Sequence, residues 1–206
     1  MRFRLILTVG MAGLLAFGCA TMSDTAVSER TSEIMKTSFK EKGQAKLDRL
    51  EQDDVQAMCS QVAAGAPLTR PDSTRLEKAQ FAKIAFPKDG KLMGDWKSGE
   101  KIAQTGVGMQ FSDNPKNAAG GNCYACHQLT KEEVSFGTIG PSLYQYGKIR
   151  GQSEDMQRYT YGKVYNPQAY TACSNMPRFG HKGILTEQQM KDVVALLLDP
   201  QSPVNR

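Results

Sequence analysis

An all-α fold is the class this sequence predicts, and three observations predict it. The segment from Thr186 to Pro200 carries helical signals at both ends and helical spacing between them. Elsewhere no run alternates apolar and polar residues as a half-buried strand would. No internal repeat points to stacked units, and Gly-, Asn- and Pro-rich loops separate the remaining helix-favouring stretches.

The first element is a targeting signal. Arg2 and Arg4 precede the apolar or small run Leu5–Gly18, which is shorter than the roughly 20 residues that span a bilayer but fits the core of a secretory signal. Cys19 then stands where a bacterial lipoprotein places its acylated cysteine, with ordinary cleavage after Ala20 as the alternative. The chain of 206 residues therefore divides into a signal over 1–19, an extension and linker over 20–92, and a second unit over 93–206. Its formal charge of +5 falls by two when the arginines leave with the signal, a field too weak to recruit nucleic acid.

Within the extension, Leu47, Leu50, Val55, Met58 and Val62 form an approximate helical stripe in the charged stretch 29–62. "GAPLTRPDSTR" breaks it, and a short helix over about 75–85 follows before Pro87. The second unit opens with "GDWKSGEKIAQTG", where Ser98 is read as the cap of a helix with Glu100 in its first turn and Ile102, Ala103 and Gly106 on one side. "FSDNPKNAAGGN" is a loop that delivers the chain to Cys123, and a second loop runs through "SFGTIGPSL". In the last helix Thr186 and Gln189 form a capping box, Met190, Val193, Val194 and Leu197 share a face, and Pro200 ends it.

The chemistry lies in "GNCYACHQL". Cys123 and Cys126 are spaced to reach the two vinyl groups of a haem, and His127 follows where its imidazole can meet the iron, so the cluster predicts one covalently attached haem c. Zinc and a redox dithiol are the rivals. A fourth zinc ligand is missing nearby, since the only other histidine is His181, and thioredoxin-like dithiols sit in βαβ units, which this chain does not suggest. For the sixth iron position, Met176 in the Pro-marked loop "CSNMPRFG" is the favoured ligand; simple packing of Met176, or ligation by His181 in an exposed-looking "GHKG", are the alternatives. Met156 lies in a polar segment and Met190 faces the core. A thioether raises the potential relative to a second imidazole, which suits an electron acceptor. The ring N–H of an iron-bound histidine needs an acceptor, and Pro141 in "GPSL" is the expected one, against a Gly-Pro turn with no further role.

Together "GNCYACH", "IGPSLYQYG", "YNPQAY", "NMPRFG" and "LTEQQMKDVVALLLDPQSPVN" resemble class I cytochromes c and, in detail, the SoxX subunits of bacterial sulfur-oxidation (Sox) systems, over about residues 93–206. The resemblance implies a class I cytochrome c fold over that span; the helical extension 20–92 before it is additional to the pattern, whose shorter members begin near the haem domain. It also implies pairing with a SoxA-type cytochrome subunit in a heterodimeric L-cysteine S-thiosulfotransferase. That enzyme joins thiosulfate to a cysteine of the carrier complex SoxYZ; the SoxX-type haem accepts the electrons and passes them to a small cytochrome c. On that pattern Cys123 and Cys126 hold haem, His127 and Met176 ligate iron, and none is a nucleophile. The location implied is the periplasm; a lipid on Cys19, read from the signal and not from the resemblance, adds membrane association and departs from that freely periplasmic pattern. A stand-alone carrier is the alternative function.

Of the five cysteines, Cys59 and Cys173 remain once lipid and haem take the others. In an oxidising compartment this pair is expected to form a disulfide between the extension and the segment near Met176. Free thiols or a bridge to another chain are the alternatives.

Overall fold

The computed structural model describes residues 23–206, so the signal-like segment and the acylation expected at Cys19 lie outside the described residues. The described residues divide into two compact units, 23–40 and 41–206. In the first, α1 (Asp24–Ser38) is capped by the Ser23 side chain, which accepts from the Ala26 N–H, and it buries no residue. All remaining elements belong to the second.

This boundary differs from the one expected at residue 92. The reason is burial: Val55, Leu76, Gln80, Ile84 and Leu92 are all buried in the second unit, whereas α1 contributes nothing to a core. After a short 3-10 turn at Leu47–Leu50 comes α2 (Asp54–Ala63), opened by a capping box between Asp53 and Gln56. Next, α3 (Arg70–Phe81) starts a turn earlier than the expected 75. Thr69 accepts from the Asp72 N–H, and Pro71 occupies the first turn, where a missing N–H costs nothing. Of the two prolines that read as a break, Pro71 thus helps to start the helix, and Pro67 lies before its cap.

Helix α4 (Trp96–Gln104) is capped by Asp95, not by Ser98; the Asp95 carboxylate accepts from the Lys97 and Ser98 N–H groups and the Ser98 hydroxyl. Gly106 therefore falls beyond the helix, and the buried face is Gly99, Ile102 and Ala103. That face crosses α7 (Glu187–Leu198), the most buried element. Gly99 permits the crossing, because a Cβ there would run into the Asp192 backbone and the Leu196 side chain. The Asp95 N–H also donates to Asp192 Oδ1 at 2.9 Å, tying the start of α4 to α7.

Helices α5 (Tyr146–Arg150) and α6 (Glu154–Tyr165) complete the frame. Leu196 and Leu198 are fully buried, each contributing about 1.5–3 kcal/mol relative to exposure. The terminal "SPVN" is structural. Asn205 Nδ2 donates to the carbonyls of Leu197 and Asp199 at 3.1 and 2.9 Å, while its Oδ1 accepts from the Gly147 N–H at 2.8 Å. One buried side chain thus satisfies the open carbonyl end of α7 and the start of α5. Among the described residues there are seven α-helices and no strands, and none of the helices is long and apolar enough to cross a membrane.

Candidate functional site

The cluster follows a loop laid against the end of α4. The N–H groups of Gly121 and Asn122 donate to the carbonyls of Ile102 and Thr105 at 2.8 and 2.9 Å, satisfying acceptors that the helix end leaves open. Asn122 takes a left-handed φ of 45°, and a 3-10 turn, Cys123–Ala125, begins after it. The N–H groups of Cys126 and His127 both donate to the Cys123 carbonyl, at 3.1 and 2.9 Å. These bonds close one turn, with Cys123 at its start and Cys126 at its end.

The His127 ring is oriented by the loop that follows. Its Nδ1 lies 2.7 Å from the Pro141 carbonyl oxygen. A carbonyl only accepts, so Nδ1 carries the proton and Nε2 keeps its lone pair for a metal. Gly140 lets the loop approach, since a Cβ there would overlap the imidazole ring. Backbone bonds hold the approach: the Gly137, Gly140 and Leu143 N–H groups each donate at 2.8 Å, to the carbonyls of Tyr124, Cys126 and Gln128.

Cys123, His127 and Met176 meet on one cleft. Its other walls are apolar: Leu129, Leu143, Val164, Phe179, Leu185, Val193 and Leu197. Burial pushes the Cys123 thiol up to about 12, with the neighbouring Cys126 adding to the rise. A redox dithiol works through a thiolate of lowered pKa, so this site is the opposite of that rival. Zinc finds no support either: among the described residues, no group of three or more His, Cys, Asp or Glu could hold a metal ion.

Two sulfurs on one turn, an imidazole with a free Nε2, a thioether and apolar walls fit a haem of the c type. Cys126 is half-buried beside the cleft and is not part of its wall. The other sulfur and imidazole groups lie elsewhere. Met190 is buried in the core beside Gly180, Met156 accepts a hydrogen bond from the Tyr146 hydroxyl at 3.7 Å, and His181 is half-buried. Burial first, then the charges of Arg178 and Lys182, lower the His181 pKa, and its ring is not in the cleft wall.

Cys59 and Cys173 are joined by a disulfide across a sequence separation of 114 residues. It lands three residues before Met176. A second tie follows two residues after: the buried Arg178 donates through Nη2 to Asp53 Oδ2 at 2.7 Å, and Lys182 reaches the same oxygen at 3.1 Å. Burial pushes the Asp53 carboxyl up, but the Gln56 N–H and the Arg178 and Lys182 charges outweigh it and hold the group well below the usual carboxylate range. Sequence reading did not find this pair, because no local spacing links positions 125 residues apart.

The cytochrome c family pattern matches residues 114–199. A protein of Aquifex aeolicus (strain VF5), described as an uncharacterized lipoprotein, is 34% identical over 201 residues, which is 95% of this chain and 94% of the relative. Among solved structures, a chain in the crystal structure of SoxXA from P. pantotrophus is 28% identical, with 52% of this chain and 82% of that chain covered and a TM-score of 0.37.

Proposed function

The chain belongs to the same family as the Aquifex aeolicus protein and carries a cytochrome c domain, a class whose cofactor is covalently attached haem c, and from that premise we propose an exported electron-transfer subunit whose iron is closed to substrate. Cys123 and Cys126 would hold the haem by thioethers, and His127 and Met176 would ligate its iron. When bound, the haem supplies a one-electron couple. The observation that carries the reading is the His127–Pro141 hydrogen bond beside Met176 in one apolar cleft. Pro141 fixes the tautomer and aims Nε2, while Leu129, Leu143 and Phe179 exclude water and disfavour added charge at the site.

The finer reading is a SoxX-type subunit. It accepts electrons while a SoxA-type partner joins thiosulfate to a cysteine of a SoxYZ-type carrier, and it passes them to a small cytochrome c. "NMPRFG" and "DPQSPVN" support it as sequence resemblance. On this reading the chain is half of an enzyme and has no catalytic residue of its own. Purification from thiosulfate-grown cells tests it: a stoichiometric second cytochrome is expected, and a monomer with unchanged thiosulfate turnover after gene loss contradicts it. One observation favours a stand-alone carrier as the second reading: the "SPVN" tail spends its polar groups inside this chain, so it does not by itself call for a partner.

Cys19 is the proposed lipid attachment site, supported by its position after an apolar signal and by the relative's description as a lipoprotein. Mass spectrometry of the N-terminal peptide checks it; an unmodified peptide beginning after Ala20 refutes it.

A further inference from the structure

The loop that carries Met176 has no regular structure of its own between the 3-10 turn Pro167–Ala169 and α7. Residues of the 41–92 segment hold it at four points. Cys173 is bonded to Cys59 of α2. Arg178 is paired with Asp53, the cap of α2. The Ala172 N–H donates to Glu77 Oε1 of α3 at 2.9 Å. At the root of the loop Asn166 donates to Gln80 Oε1 at 3.0 Å, both side chains being buried. These ties flank position 176 on both sides. The crossing of α4 and α7, which frames the cleft from elsewhere, does not use them.

We propose that Asp53, Cys59 and Glu77 are positioning residues for the sixth iron ligand, and that α2 and α3 form a brace holding the Met176 thioether in the cleft. The inference rests on Met176 being that ligand. A tethered weak ligand is in equilibrium with a state in which it has swung away, and an external ligand binds only that open state. Its apparent Kd therefore varies inversely with the open population. The brace keeps the population small, so cutting a tie makes the iron accessible without removing Met176.

The test is imidazole titration of the full-length ferric holoprotein, under conditions where circular dichroism shows it folded, together with its sulfur-to-iron absorption band. Asp53→Asn keeps a good cap for α2 but removes the charge facing Arg178. Cys59→Ser with Cys173→Ser cuts the covalent tie, and Glu77→Gln weakens the third. We expect imidazole affinity to rise at least about tenfold in Asp53→Asn and in the double serine variant, and less in Glu77→Gln. Met176→Ala sets the ceiling. Unchanged affinity in all brace variants, with a raised affinity in Met176→Ala, overturns the brace and leaves the ligand assignment standing. An unchanged affinity and band in Met176→Ala overturns the ligand assignment itself, and the brace with it. If the double serine variant does not fold, Asp53→Asn decides alone.

Discussion

The His127 Nδ1 and the Pro141 carbonyl oxygen stand 2.7 Å apart, and Gly140, the residue before Pro141, lies so close to the imidazole that a Cβ there would overlap the ring. This relationship gives the cluster its polarity: one ring nitrogen is committed to the protein, and the other is left for iron.

Gly140→Ala should therefore weaken the His127–iron bond, because the new methyl overlaps the ring and pushes it off the Pro141 carbonyl. Loss of such an orienting partner costs about 10–100-fold in ligand affinity, so protons should displace His127 at a pH about one to two units higher than in the parent. An acid titration followed by haem absorption reads this. An unchanged midpoint would show that the orientation does not matter.

Gly99→Ala acts on the frame. Its Cβ meets Asp192 backbone and Leu196 Cβ, so α4 and α7 must move apart, at a cost of about 1–3 kcal/mol. Denaturant unfolding of the holoprotein measures it, and a change below about 0.5 kcal/mol, the ordinary range of surface substitutions, contradicts the close crossing.

Replacing Cys59 and Cys173 by serine should lower stability by about 2–5 kcal/mol, the usual cost of removing a native disulfide. The parent should also resist alkylation at these residues unless reduced. Two alkylatable thiols in the folded, oxidised protein would contradict the pairing.

Asp53 gives a pH dependence with a definite sign. Its folded pKa lies below the unfolded value of about 3.9, so its contribution is complete above that value and is lost as pH falls below it. Thermal melting of the parent should fall more steeply than that of Asp53→Asn below about pH 4, with parallel curves above about pH 5. Parallel curves throughout would remove the carboxylate from the account.

What could be read from the sequence depended on how far its signals reach. Thr186 and Gln189 cap α7 from three residues apart, and the cap is there as spaced. Cys123, Cys126 and His127 share one turn, so their order alone suggested their chemistry. Local signals were also misassigned. Ser98 reads as a cap, but Asp95, three residues earlier, caps the helix through the Lys97 and Ser98 N–H groups, and Pro71 reads as a break where Thr69 and Pro71 open α3. Val55, Leu76 and Ile84 are buried, but they are too sparse in the sequence to announce a core until the surface that covers them is known. The Asp53–Arg178 pair has no short-range trace at all, and a single sequence holds no signal that could have found it.

A potentiometric titration of the parent beside Met176→Ala decides whether His127 and Met176 close the haem. The variant should keep its covalent haem, lose the sulfur-to-iron band and titrate at a lower potential. An identical band and an identical potential in the two proteins would contradict it.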